Sequence, residues 1–273
     1  MAPVCYVPPD SITRRRFEDG DGDPIPVQSW LTNEYRVTNA TWKRVLREWP
    51  PREPYEDEEW RRDLFRAMPD RGYAQDYRVI NTILGYDTER ERCVMCRRNS
   101  QNPGCGQACL EKWFESGGMG LLRGATEVWP MEKDGGITGY GLFLHTDVRR
   151  SLVKGQLVGE YVGELLPADG PDDRRNPAAD SRYVYEVNGG LWKVDAEKWG
   201  NQTRFINHSC SPNLMADTVV VGGRRIVTFR VIKTIHPGEE LTVHYGRPYF
   251  ANFNEMCYCN VYSYGHVPTE LPL

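Results

Sequence analysis

The rhythm of apolar and polar positions changes once along this chain. Between residues 38 and 68 apolar residues recur at helical spacing. Trp42, Val45, Leu46 and Trp49 follow the cap candidates Thr38 and Asn39, and Pro50-Pro51 ends that stretch. Trp60, Leu64, Phe65 and Met68 make a second stripe, with Pro69 beyond it. Two short helices packed on a core are predicted there. From Val128 onward the rhythm is that of strands. Leu157–Val162, Tyr183–Val187, Val219–Val221, Ile226–Val231 and Leu241–Tyr245 are short β-type runs separated by Gly, Asp and Asn turns. Asp169–Asp180 is polar and proline-containing, which predicts a surface loop or a short helix. Residues 1–36 show no periodicity.

Composition narrows this picture. The chain has 273 residues, 40% of them apolar, enough for one substantial core with a smaller appended unit. Its 19 prolines and 26 glycines predict short elements and many turns. Mean hydropathy is −0.61 and no run of about 18 apolar residues occurs, so no membrane span is expected. Met1–Asp10 lacks a basic stretch followed by an apolar run, so no secretory signal is expected there. The net charge of −4 suits a basic partner better than direct nucleic-acid binding. Asp19-Gly-Asp-Gly-Asp23 has the look of a calcium loop. Its sixth and twelfth places hold Pro24 and Trp30 rather than Gly and Glu, so a solvated turn is expected.

Eight cysteines in a chain without a secretory signal favour metal ligation over disulfides. Cys93-x2-Cys96-x8-Cys105-x3-Cys109 is spaced for one tetrahedral, structural zinc. Cys257-x-Cys259 with Cys210 makes a second group of three, one ligand short; His266 is the nearest candidate for the fourth. Two further stretches are too polar for plain core. One is Val194–Asn213, dense in Asn, His, Ser and Cys; the other is Pro237–Gly246, a strand leading down onto Tyr245. Gly139-Tyr140-Gly141 fits a backbone that a ligand approaches closely.

These stretches resemble the SET-domain family of protein-lysine methyltransferases. Arg204-Phe-Ile-Asn-His-Ser-Cys-Ser-Pro-Asn213 matches the family's central motif almost letter for letter. Glu239-Glu-Leu-Thr-Val-His-Tyr245 is similar to its second motif, and Gly139-Tyr-Gly141 to its cofactor turn. The cysteines from Cys93 resemble a reduced pre-SET or AWS region, and Cys257-Tyr-Cys259 an incomplete post-SET segment whose last cysteine is replaced by Tyr264. Ile12 to Val37 is similar to the start of the pre-SET region in Suv39-type enzymes, which act on lysine nine of histone H3.

The resemblance implies a mostly β fold with short helices, several small sheets and a threaded pseudoknot, preceded by a helical and zinc-binding N-terminal region. It divides the chain into an N-terminal region (1–92), a cysteine-rich segment (93–125), the SET domain (126–247) and a tail (248–273). It implies methyl transfer from S-adenosylmethionine to a lysine amine, with structural zinc held by Cys93, Cys96, Cys105 and Cys109 and by Cys210, Cys257 and Cys259. Gly139, Tyr140, Gly141, Arg204, Asn207 and His208 fall at cofactor positions. Tyr245 falls at the point of transfer, with Tyr183, and less directly Tyr185, beside it in the lysine channel. The place two before Tyr245, which tunes room around the amine, holds the small Val243, so di- or trimethylated product is expected. The implied partner is a histone H3 tail or another basic peptide, within a chromatin complex in the nucleus, with no membrane and no sequence-specific nucleic acid. A non-histone lysine, or a catalytically weak scaffold, are the alternatives. His244, where the family has aspartate, motivates the last.

Overall fold

A computed structural model of the protein describes residues 91–99, 102, 104–116, 118–133, 136–167, 181–187, 190–254 and 256–259. Before these it describes 21, 25, 30, 31, 35–38, 41, 73, 74, 80, 83–85 and 88. The expected helical stripes at 42–49 and 60–68, the polar stretch Asp169–Asp180 and His266 lie outside the described residues. Among those described, no helix is long and apolar enough to cross a membrane.

Among the described residues the architecture is mostly β, in five small sheets with a few short helices. The first three strands lie early: β1 (Trp30–Leu31), β2 (Arg36–Thr38) and β3 (Tyr73–Ala74). Helices α1 (Gln107–Ser116) and α2 (Gly118–Ala125) follow the first cysteines. Then come β4 (Thr126–Lys133), β5 (Gly136–Leu144), β6 (Leu157–Glu160), β7 (Glu164–Pro167), β8 (Val184–Val187), β9 (Trp192–Asp195) and β10 (Trp199–Gly200). A 3-10 turn (Gln202–Phe205) leads into β11 (Asn207–His208), β12 (Leu214–Val221), β13 (Arg224–Val231), β14 (Thr242–Val243) and α3 (Arg247–Phe253).

The largest sheet runs β3-β2-β7-β9-β8, so the early strands join the body of the molecule. Strands β12 and β13 form a hairpin closed by Gly222 and Gly223, with φ of 56° and 84°. Such angles are the geometry of a two-residue turn that matches the strand twist. Strand β6 adds on the far side of β13. One main core serves most of these elements: Val37, Ile83, Leu142, Leu144, Val158, Leu165 and Leu214 are fully buried in the same cluster, while Phe250 of α3 packs in a smaller one with Cys210 and Cys257.

A buried carboxylate knits three elements together. Glu160, at the end of β6, accepts from the Tyr35 hydroxyl at 2.8 Å and from Trp113 Nε1 on α1 at 2.9 Å. Burial raises its pKa, while those two donors and Arg224 oppose the rise. A buried carboxyl left without such partners costs several kcal/mol, on the order of 3–5. Helix α1 buries Cys109, Leu110, Trp113 and Phe114, an i, i+1, i+4, i+5 stripe. The cysteine spacing that predicted a metal site there also concealed a helical face.

Candidate active site

The central motif is held from both ends. The Asn201 side chain caps the 3-10 turn by accepting from Thr203 N at 3.0 Å, while its amide donates to Glu160 O at 2.7 Å. After that turn β11 pairs in parallel with β14, Asn207 opposite Thr242 and His208 opposite Val243. Asn213 then stitches the motif to the approach of Tyr245. Its amide donates to Glu240 O at 2.8 Å and its oxygen accepts from Thr242 N at 2.9 Å. Two segments about thirty residues apart are thus fixed side by side, and Tyr245 is carried at the end of the second.

Tyr245 stands at a cavity of about 150 Å3. Tyr161, Tyr183, Tyr185, Phe229 and Tyr249 share its walls with Ile206. The Tyr245 hydroxyl donates its one hydrogen to Ile206 O at 2.8 Å, leaving its lone pairs to accept from an incoming N–H. Burial first, then the neighbouring phenols and Glu240, push the Tyr245 pKa well above its ordinary value. The phenol is therefore neutral near pH 7 and suited to orient an amine rather than to take its proton. Tyr161 packs edge-on against Tyr185 at 4.6 Å between centroids and donates to Tyr183 O at 2.8 Å. The buried Arg204 places its guanidinium 4.2 Å from the Tyr183 ring centroid and donates to Glu197 O at 3.1 Å. The expected pair Tyr183 and Tyr245 thus meets at one cavity, with Tyr185. Tyr161, Tyr249 and Phe229 were not anticipated. Val243 is 1% exposed within the core and is not among the lining residues, contrary to the expectation that it walls the amine.

A second polar group gathers around Asn207. Asn207 gives one amide hydrogen to Tyr140 O at 3.0 Å and the other to Glu240 Oε1 at 2.9 Å. Turning the amide over would set its oxygen against two acceptors, so this orientation is fixed and the oxygen faces any further donor. Gly139-Tyr140-Gly141 is not a turn but lies within β5, where Pro130 of β4 stands opposite Tyr140. Proline has no N–H to offer a neighbouring strand, and the Tyr140 carbonyl goes to Asn207 instead. A side chain at Gly141 would meet the Glu240 carboxylate at 2.7 Å, whereas one at Gly139 would meet nothing within 4 Å. The strand therefore passes close to Glu240 and leaves open space beside Gly139. An amide oxygen, a carboxylate and open room beside Gly139 fit the ammonium of the amino-acid end of S-adenosylmethionine.

The SET domain family matches residues 139–246, from the first of these glycines to the residue after Tyr245. The chain carries a SET domain. Among relatives, it is 33% identical over 195 residues to the "Variant-silencing SET domain-containing protein" of Plasmodium falciparum, covering 68% of this chain and 7% of that protein. It is 34% identical over 161 residues to the "Histone-lysine N-methyltransferase, H3 lysine-36 specific" of Emericella nidulans, covering 57% of this chain and 15% of that one. The chain thus spans a small fraction of the length of these relatives. The crystal structure of KRYPTONITE in complex with mCHH DNA, H3(1-15) peptide and SAH matches 44% of this chain and 23% of its own at 28% identity. The TM-score is 0.34, too loose a superposition to carry an argument.

Two cysteine centres adjoin the SET domain, one before it and one built partly from its own residues. Cys93, Cys96, Cys105 and Cys109 bring four sulfurs within 4.8 Å of one another, as the spacing predicted. This centre docks on the tip of the β12–β13 hairpin, where Gly222 N donates to Cys93 Sγ at 3.4 Å and Val94 N to Val220 O at 2.9 Å. Burial pushes the Cys109 thiol up to about 11. At Cys93 burial is outweighed by main-chain donors led by Gly222, and the pKa is lowered. The second centre joins Cys210, inside the central motif, to Cys257 and Cys259, again within 4.8 Å and with His208 Nε2 in the same cluster. Cys210 and Cys257 Sγ lie 3.8 Å apart. That is the edge of a tetrahedron of sulfurs about 2.3 Å from a zinc ion, so the donors fit the metal. Burial pushes the Cys257 thiol up to about 12. Metal binding must displace that proton, so affinity falls as pH falls.

Both ring nitrogens of His208 are engaged, Nδ1 by Tyr245 N at 3.0 Å and Nε2 at 3.3 Å from Cys210 Sγ. The expected cofactor role of His208 is left to its main chain and ring face.

Proposed function

We propose that the chain is an S-adenosylmethionine-dependent protein-lysine N-methyltransferase acting on a histone H3 tail in nuclear chromatin. The observation that carries this reading is the phenol-walled cavity that Tyr245 lines. Glu240, on the segment leading to Tyr245, meets Asn207 in a separate polar cluster next to the open space beside Gly139. An aromatic channel suits a lysine stem and a methylated ammonium. The second cluster suits the ammonium of the cofactor's amino-acid end. S-adenosylmethionine supplies the methyl group from its sulfonium. The chain's own residues have three tasks: to aim the amine, to hold the two reactants in line and to exclude water.

The Tyr245 hydroxyl, its hydrogen held by Ile206 O, accepts from the amine and turns the lone pair toward the methyl. Arg204 braces the cavity wall through Tyr183. Gly139, Tyr140, Gly141 and Asn207 line the cofactor side, and Cys93, Cys96, Cys105, Cys109, Cys210, Cys257 and Cys259 hold zinc.

For the target residue, the likeness of Ile12 to Val37 to Suv39-type enzymes favours lysine nine, whereas the specificity in the name of the Emericella nidulans relative favours lysine thirty-six. Methyl transfer from labelled S-adenosylmethionine to H3 peptides carrying one or the other lysine tests both. Transfer to either peptide that is lost on replacing its lysine supports the reading. No transfer to H3 peptides or nucleosomes by a protein that binds the cofactor overturns the histone assignment.

A further inference from the structure

Distance alone makes His208 the fourth ligand of the second cysteine centre, because its Nε2 and the sulfurs of Cys210, Cys257 and Cys259 cluster within 4.8 Å. The position of one hydrogen argues otherwise. The main-chain N–H of Tyr245 can only donate, and it lies 3.0 Å from His208 Nδ1. Nδ1 must therefore present a lone pair, and a neutral imidazole then carries its hydrogen on Nε2. That is the nitrogen 3.3 Å from Cys210 Sγ. A metal ligand needs the opposite tautomer, with the lone pair on Nε2 and the hydrogen on Nδ1. Two donors would then face each other across the 3.0 Å gap to Tyr245. Metal-bound histidines give their second N–H to an acceptor, whereas His208 Nδ1 faces the Tyr245 N–H, itself a donor. Flipping the ring would put carbon atoms at both contacts. The ring is also pinned in place, with His244 and Phe250 each packed edge-on at 4.8 Å between centroids.

We propose that His208 is not a ligand but a positioning residue. Its Nε2–H donates to the Cys210 thiolate of a three-thiolate metal centre, while its Nδ1 holds the Tyr245 amide. One imidazole thereby ties the metal to the strand that carries Tyr245. The donated hydrogen disperses thiolate charge, as other main-chain donors do in the same centre: Cys210 N to Cys259 Sγ and Cys259 N to Cys257 Sγ, both at 3.4 Å. Among the described residues no further cysteine, histidine or carboxylate joins this cluster, and His266 is the candidate for the fourth position that the sequence offers.

Zinc titration and zinc X-ray absorption on the full chain and its His208→Gln, His208→Ala and His266→Ala variants test this. None of these readouts depends on methyl transfer. Glutamine keeps an N–H that reaches the sulfur. His208→Gln should hold both ions with second-site affinity within about threefold of wild type, and His208→Ala should weaken that site by roughly 10–100-fold. Any imidazole scattering in wild type should survive in His208→Gln, and its loss in His266→Ala would name the fourth ligand. Imidazole scattering lost in His208→Gln, or one ion released by that variant at saturating zinc, overturns the proposal. Nitrogen-15 NMR of the unaltered zinc-loaded protein decides the same question without substitution. Hydrogen on His208 Nε2 supports the proposal; hydrogen on Nδ1 with a metal-shifted Nε2 overturns it.

Discussion

The two cysteine centres use one chemistry in two settings. In the first, all four sulfurs come from residues 93–109, and their partners outside that stretch are the tip of the β12–β13 hairpin. In the second, Cys210 belongs to the central motif, and Cys257 and Cys259 return to it after 47 residues. The second centre touches Tyr245 through His208; the first docks on the hairpin tip. A local cluster can stabilise a fold wherever it sits. A cluster that closes a long loop on the active strand also fixes where that strand lies. The first centre should therefore report in stability and the second in turnover.

The largest effect should come where neither centre is disturbed. Tyr245→Phe removes the hydroxyl that aims the amine, and misplacing a reactant by about 1 Å costs on the order of 100-fold. Transfer should fall at least that far while the protein keeps both ions and its cofactor affinity. Turnover near wild type would remove Tyr245 from the role given to it, and with it the reason for expecting the second centre to matter.

The centres themselves come next. Cys257→Ser should release about one equivalent of zinc and lower transfer by roughly 10–100-fold, with a modest fall in Tm. Cys105→Ser should also release about one equivalent. There the cost should appear in Tm: a loss of about 3 kcal/mol corresponds to roughly 6–12 °C in a chain of this size. Below its Tm, activity per folded molecule should stay within about threefold of wild type. Metal analysis, calorimetry and initial rates on the two variants settle the contrast. If both lose turnover alike, or both lose only stability, the two centres do the same job and the comparison fails.

How much of this was legible beforehand follows the same division. Residues 204–213, the approach to Tyr245 and the four cysteines from Cys93 to Cys109 were readable because each is a local run with fixed spacing. What was missed depends on elements that meet only in three dimensions. Tyr161 follows β6, Phe229 sits in β13 and Tyr249 in α3, and no period in the sequence says that these three close one cavity. The glycines at 139 and 141 suggest a turn when read alone. Pro130 in the partner strand hides the pairing from a reading that treats proline as a strand breaker. Val243 was expected at the cavity because it lies two residues before Tyr245. Strand β14, however, ends at Val243, so the alternation of a regular strand does not run on to Tyr245.

The smallest effect concerns Glu240, which shares the segment leading to Tyr245 but meets Asn207 rather than either metal centre. Burial raises its pKa above the ordinary 4.5, and the Asn207 amide only partly offsets the rise. The folded protein therefore holds this proton more tightly than the unfolded chain. Stability from the protonated form is complete below about 4.5 and is lost as pH rises through the raised folded value, beyond which it is flat. Binding of a cation beside Glu240 has the opposite slope. It favours the ionised carboxylate, so affinity climbs with pH across the same window, by at most about tenfold per unit for one proton. Calorimetric titration of S-adenosylmethionine as pH rises from about 4.5 should show that climb in the wild type, and Glu240→Gln should flatten it. The glutamine side chain keeps an oxygen for the Asn207 amide, so the variant should fold and gain slightly in Tm at neutral pH. Cys105→Ser should leave the slope unchanged, since its centre lies at the hairpin tip. A slope that survives in Glu240→Gln would mean that another acid faces the cofactor.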